Sequence, residues 1–101
     1  KIADPETALL RKQQGYYNYM YGVIYTRKNL TQAEKYFRKA LQLGLTMDYD
    51  KAMVKMSLAG IMIQKRKKRE AQELLTEAKK LDKQNMMTEQ IKMLQQQLKK
   101  I

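Results

Sequence analysis

The 101-residue chain has one proline, four glycines, no cysteine and no histidine, and 44% of its residues are apolar. So few breakers favour helix over strand, and the missing Cys and His exclude disulfides, thiolate metal sites and histidine proton shuttles. A net charge of +11 makes copies of the chain repel one another and attracts anions: acidic proteins, nucleic acid or anionic lipid.

In chain order, Asp4-Pro5-Glu6 reads as a helix start, with Asp as cap, Pro at the first helical position and Glu at the positive end of the dipole. This first helix is expected to run to about Arg27. Tyr16, Tyr17, Met20, Tyr21 and Ile24 recur at steps of three and four and predict one apolar face. Thr31-Gln32-Ala33-Glu34 has the form of a capping box opening a second helix. Its buried stripe is Ala33, Tyr36, Phe37, Ala40 and Leu43, and Gly44 stands where a C-cap belongs. Asp48 or Asp50 is the expected cap of a third helix carrying Val54, Leu58, Ile61 and Met62. The run Lys65 to Arg69 marks the next turn. A fourth helix holds Ala71, Leu74, Leu75, Ala78 and Leu81. After the segment 82–85, Met87, Ile91, Leu94, Leu98 and Ile101 form a heptad-like stripe on a fifth helix.

The second and fourth helices repeat each other. Ala33, Tyr36, Phe37, Ala40 and Leu43 match Ala71, Leu74, Leu75, Ala78 and Leu81, each 38 residues on, and Gly22 and Gly60 are also 38 apart. Two copies of a helix-turn-helix unit point to a helical-repeat architecture. The alanines let helices cross closely, and the larger residues beside them fill the gaps. This pattern resembles the tetratricopeptide repeat. The small-aromatic-small signature of that family's second helix is met by Ala33, Phe37 and Ala40, then by Ala71, Leu75 and Ala78. The first-helix positions fall on Tyr17, Met20, Tyr21 and Ile24, then on Lys55, Leu58, Ala59 and Met62. A turn one residue shorter would put Gly22 and Gly60 at the small position instead; the register without a deletion is preferred. The departures are Lys55 at an apolar position, Tyr21 at a small one, and no Pro closing either unit. The resemblance implies an all-α, right-handed superhelix of about five helices in a single domain. Its parts are an N-terminal helical extension (5–13), two repeats (14–47 and 52–85) and a C-terminal capping helix (86–101).

No catalytic grouping is visible: the ten carboxylates are scattered and no Gly-rich phosphate loop is present. No enzyme activity, metal or cofactor is expected. The resemblance implies a concave protein-binding groove built from the first helix of each repeat. It would present Asn18, Gly22, Tyr25 and Thr26, then Met53, Met56, Gly60 and Ile63. Methionines adapt to irregular partners, and the expected occupant is a peptide or helix of a partner protein. The same residues could instead pack on the protein's own N-terminal segment or fifth helix. The family's carboxylate clamp is disfavoured, because the positions for its Lys and second Asn are not filled.

A second class of function is an anion-binding module. Lys65, Arg66, Lys67, Lys68 and Arg69 would form its edge, either a solvated turn or a contact for nucleic acid or an acidic membrane surface. Nucleic acid is the less favoured of these, although no acid lies between Glu6 and Glu34. Two exposed apolar surfaces on a small domain predict self-association, as a homodimer through the fifth helix or the groove, or membership of a longer chain. The chain opens on Lys1 rather than Met, which leaves room for a membrane anchor outside this segment. The Lys and Arg content would then face the cytoplasm. The expected location is the cytoplasm or the cytoplasmic face of a membrane.

Overall fold

The computed structural model describes the backbone of residues 5–101, and side chains from Leu10 onward except that of Lys12. The expected cap at Asp4 lies outside the described residues. Five helices follow in order, α1 (Pro5–Tyr25), α2 (Leu30–Leu43), α3 (Asp48–Gln64), α4 (Lys68–Leu81) and α5 (Thr88–Lys99), with no strand among the described residues. They fall into two compact units, Lys1–Thr46 and Met47–Ile101.

In the first unit α1 packs on α2 as a helical hairpin. Ala33, Phe37 and Ala40 of α2 are fully buried. The contact side of α1 is not its tyrosine face but a glycine face, with Gly15 and Gly22 buried. A Cβ at Gly15 would run into the carbonyl oxygen of Gly44, and one at Gly22 would lie 2.6 Å from two carbons of the Phe37 ring. The α2 cap also differs from expectation. Asn29, in extended backbone, accepts a hydrogen bond from the Gln32 N–H at 3.2 Å. Glu34, the expected capping-box partner of Thr31, instead pairs with Arg38 one turn ahead at 2.9 Å. At the other end Gly44, with φ 99°, donates its N–H to the Ala40 carbonyl. A residue with a side chain would be strained there.

In the second unit α3 and α4 form the same kind of hairpin, and α5 closes it. Val54, Leu58, Ala59, Ile61 and Met62 of α3 meet Ala71, Leu74, Leu75 and Ala78 of α4 in a common core. Lys55, which departs from the apolar pattern, bridges to Glu77 of α4 at 3.0 Å. Asp48 and Asp50 lie in the first turn of α3 rather than capping it, and the cap position, Met47, makes no side-chain bond. There the carboxylates favour the helix through its dipole, and Asp48 also reaches Lys83 at 3.4 Å. The α5 stripe is largely covered: Met87, Ile91 and Leu98 are buried, Leu94 and Ile101 half-buried. The open apolar surface expected on α5 is therefore small.

Asp82 fixes the approach to α5. Its buried carboxylate accepts from the backbone N–H of Met86 at 2.9 Å and of Met87 at 2.7 Å, while Asn85 turns the chain at φ 56°. Both bonds are charge-assisted. Asp82→Ala leaves two donors without this partner and should cost about 1–2 kcal/mol in chemical denaturation, with α5 the first helix to lose hydrogen-exchange protection.

Candidate functional site

The eight residues read as one groove are divided between the two units, and within each unit they do not make an open surface. In the second unit Met56 and Gly60, with Ser57, face α5. They line a cleft of about 260 Å³ with Gln90, Met93, Leu94 and Gln97. A Cβ at Gly60 would sit 3.7 Å from the Leu94 Cδ2, an ordinary contact. Met53 is half-buried and Ile63 is buried. The fifth helix thus covers most of this half of the groove.

In the first unit Gly22 is no groove residue, since the Phe37 ring covers it. Tyr25 turns toward α2, its ring stacked on Tyr36 with centroids 5.4 Å apart and planes at 16°. Asn18 donates to the Gln14 carbonyl at 2.7 Å and Thr26 to the Gly22 carbonyl at 2.8 Å, bonds that stay within α1 and its last turn. The reason for the correction is helical phase. Gly15 and Gly22, seven residues apart, fall on one face, and Asn18, Tyr19 and Tyr25 flank it. Gly22 is thus the close-contact position of α1 in this hairpin. In the second, Ala59 lies four residues beyond Lys55, on the side of α3 that reaches α4, and is fully buried.

This phase sends the expected core face of α1 outward. Tyr16, Tyr17, Met20, Tyr21, Val23 and Ile24 are each 45–58% exposed, as is Leu10 one and a half turns earlier. At 100° per residue they occupy one continuous arc opposite Gly15 and Gly22. Tyr21 also leans on Tyr36 of α2, with centroids 5.4 Å apart. The helix is apolar on both sides, the pattern of an element covered by two layers, and α2 supplies only one. Sequence reasoning named Tyr16, Tyr17, Met20, Tyr21 and Ile24 as one apolar face, without Leu10 and Val23, and did not place that face away from α2. The signal that would have corrected it is the glycine pair at a spacing of seven.

The cationic run is a turn, as expected. Lys65 ends α3, Arg66 takes φ 61°, and Lys67 donates its N–H to the Met62 carbonyl at 2.8 Å. That is a Schellman-type closure with Arg where glycine is usual. Arg66, Lys67, Lys68 and Arg69 are exposed, the last two in the first turn of α4. Changing Lys67 and Lys68 to Gln should move stability by no more than about 0.5 kcal/mol, as at other surface sites; a thermal melt checks this.

Among the described residues no group of His, Cys, Asp or Glu is placed to hold a metal ion, and no helix is long and apolar enough to cross a membrane. In comparisons with known proteins, no family model, curated protein or solved structure matches the chain.

Proposed function

We propose that the protein is a non-enzymatic interaction module, an adaptor or scaffold, that takes a helix or peptide of a partner protein on the outer face of α1. The observation that carries this reading is that continuous exposed arc of tyrosines and aliphatics, backed by a helix whose other side is already packed. Exposed apolar patches of this extent on small proteins mark interfaces, and tyrosine is among the residues that concentrate binding energy there. Part of the proposal is that the two hairpins are tetratricopeptide-like repeats, a pair that would wind as a right-handed superhelix. Support comes from the burial of all six second-helix signature residues, Ala33, Phe37, Ala40, Ala71, Leu75 and Ala78.

A photo-reactive phenylalanine tests the assignment. Placed at Tyr17 or Ile24 in the source cells, it should give discrete protein adducts on irradiation. Placed at Gln42, exposed on α2, it should give none. Equal labelling at all three positions, or none at any, would remove the reading. The basic turn offers a second reading, an anion contact, which predicts binding that collapses with added salt and is lost in the Lys67 and Lys68 variants.

A further inference from the structure

We propose that the helix taken by the α1 face is α1 of a second copy of this chain, running antiparallel about a two-fold axis at Tyr17; this rests on the protein-binding reading above. Leu10, Tyr17 and Ile24 stand seven residues apart along the exposed ridge of α1. That spacing keeps two helices in contact along their length, and the three residues span about 21 Å at 1.5 Å per residue. Tyr17 is the middle of the row. Turned end for end about it, Leu10 of one copy meets Ile24 of the other, and each Tyr17 meets its own equivalent. An interface between two identical surfaces needs this self-matching.

Charge fits the same arrangement. Residues 13–26 contain no charged side chain, so the shared stretch brings no like charges together although each chain carries +11. Glu6 stands eleven residues before Tyr17, and Lys28 eleven after it, next to Arg27. Glu6 precedes Leu10 by one turn of α1 and so falls on the ridge's side. Past Tyr25 the four-residue hydrogen-bond step continues, from the Thr26 N–H to the Gly22 carbonyl at 3.0 Å and from the Asn29 N–H to the Tyr25 carbonyl at 2.8 Å. Arg27 and Lys28, both exposed, thus follow Ile24 within about one turn. By helical phase Arg11 falls on the glycine side of α1 and Lys12 between the two faces, so neither position is on the ridge. An antiparallel pair sets Glu6 of each copy opposite Arg27 and Lys28 of the other, once at each end. A parallel pair would set acid against acid and base against base.

The area is sufficient. The seven ridge side chains are about half exposed and offer about 700 Å² per copy. A pair buries up to about 1,400 Å², within the roughly 1,200–2,000 Å² of specific interfaces. The second α1 is then the outer layer that α2 does not supply.

The chain has no cysteine, so one introduced thiol reports one position. With a short bis-maleimide on the full chain, Tyr17→Cys should link to itself. Leu10→Cys and Ile24→Cys should each link poorly alone and link to one another when mixed. Sedimentation at tens of micromolar should show a dimer that Ile24→Gln dissociates; Met20→Gln serves if that variant loses its helical circular dichroism. Glu6→Lys should weaken the dimer about tenfold, as should Arg27→Glu with Lys28→Glu, the scale of two exposed ion pairs turned repulsive. The three changes together should restore it. A monomer at that concentration, a preference of Leu10→Cys for itself over Ile24→Cys, a dimer indifferent to both ridge variants, or no rescue by the combined reversal overturns the proposal. So does a monomer whose binding to phosphatidylserine vesicles is abolished by Ile24→Gln. A monomer that still gives photo-adducts with other proteins at Tyr17 leaves the protein-binding reading standing and removes this inference; a monomer without adducts removes both.

Discussion

Phe37→Ala is expected to cost about 3–5 kcal/mol, the range for deleting a buried phenylalanine, and to unfold the first unit selectively. Phe37 is the largest fully buried side chain of α2. Its ring covers Gly22 and lies 6.4 Å from the Tyr19 ring, so it fills the centre of the hairpin. The other fully buried side chains of α2 are the small alanines Ala33 and Ala40. A helix of 14 residues such as α2 is marginal without tertiary support. Hydrogen exchange followed by mass spectrometry should show α1 and α2 losing protection, while the Leu58, Met62 and Leu75 core of the second unit keeps its own. Uniform loss across all five helices would mean that Phe37 serves the whole chain.

The glycine series should split by sign. Alanine normally stabilises a helix interior by about 1 kcal/mol over glycine. Gly60→Ala should gain about that much, because its new methyl meets only Leu94 at ordinary distance. Gly15→Ala should instead lose about 2 kcal/mol or more. Its methyl strikes the Gly44 carbonyl, and that backbone is pinned by the bond from the Gly44 N–H to Ala40. Forcing the helices apart there costs at least as much as overpacking a core. Paired thermal melts decide the matter. If Gly15→Ala and Gly60→Ala shift the midpoint in the same direction, the hairpin does not close through the glycine face.

The helices, the breaks between them and the core of α2 and α4, alanines beside Phe37 in one and beside Leu74 and Leu75 in the other, were legible in the sequence. Small residues at fixed spacing have one plausible use, close crossing, and all six signature residues are buried. The phase of α1 was not legible in the same way. With apolar residues on both sides, periodicity marks two faces without saying which turns inward, and the larger tyrosine stripe outweighed two glycines. Helix starts were misplaced for a local reason. Asn29 and Thr31 are both good caps; Asn29 is the one that caps, and Glu34 pairs with Arg38 instead of closing a capping box. In the second unit Met56 and Gly60 face α5 across a cleft, the alternative that the sequence left open for these residues.

A wall with an occupied room on one side and an open one on the other carries load between them. Helix α1 is such a wall, one helix thick, with glycines at its inner surface and rings at its outer. Its middle is rich in tyrosine, glycine and β-branched residues, which have modest helix propensity, so its order depends on what leans against it. By mass action, a ligand that binds only the folded helix stabilises it by about 2.7 kcal/mol at a hundred times its dissociation constant. That is comparable to what Gly15→Ala removes. Occupancy outside and packing inside are thus exchangeable, and any ligand that bound this face in excess would offset lesions in this hairpin that unfold the isolated chain.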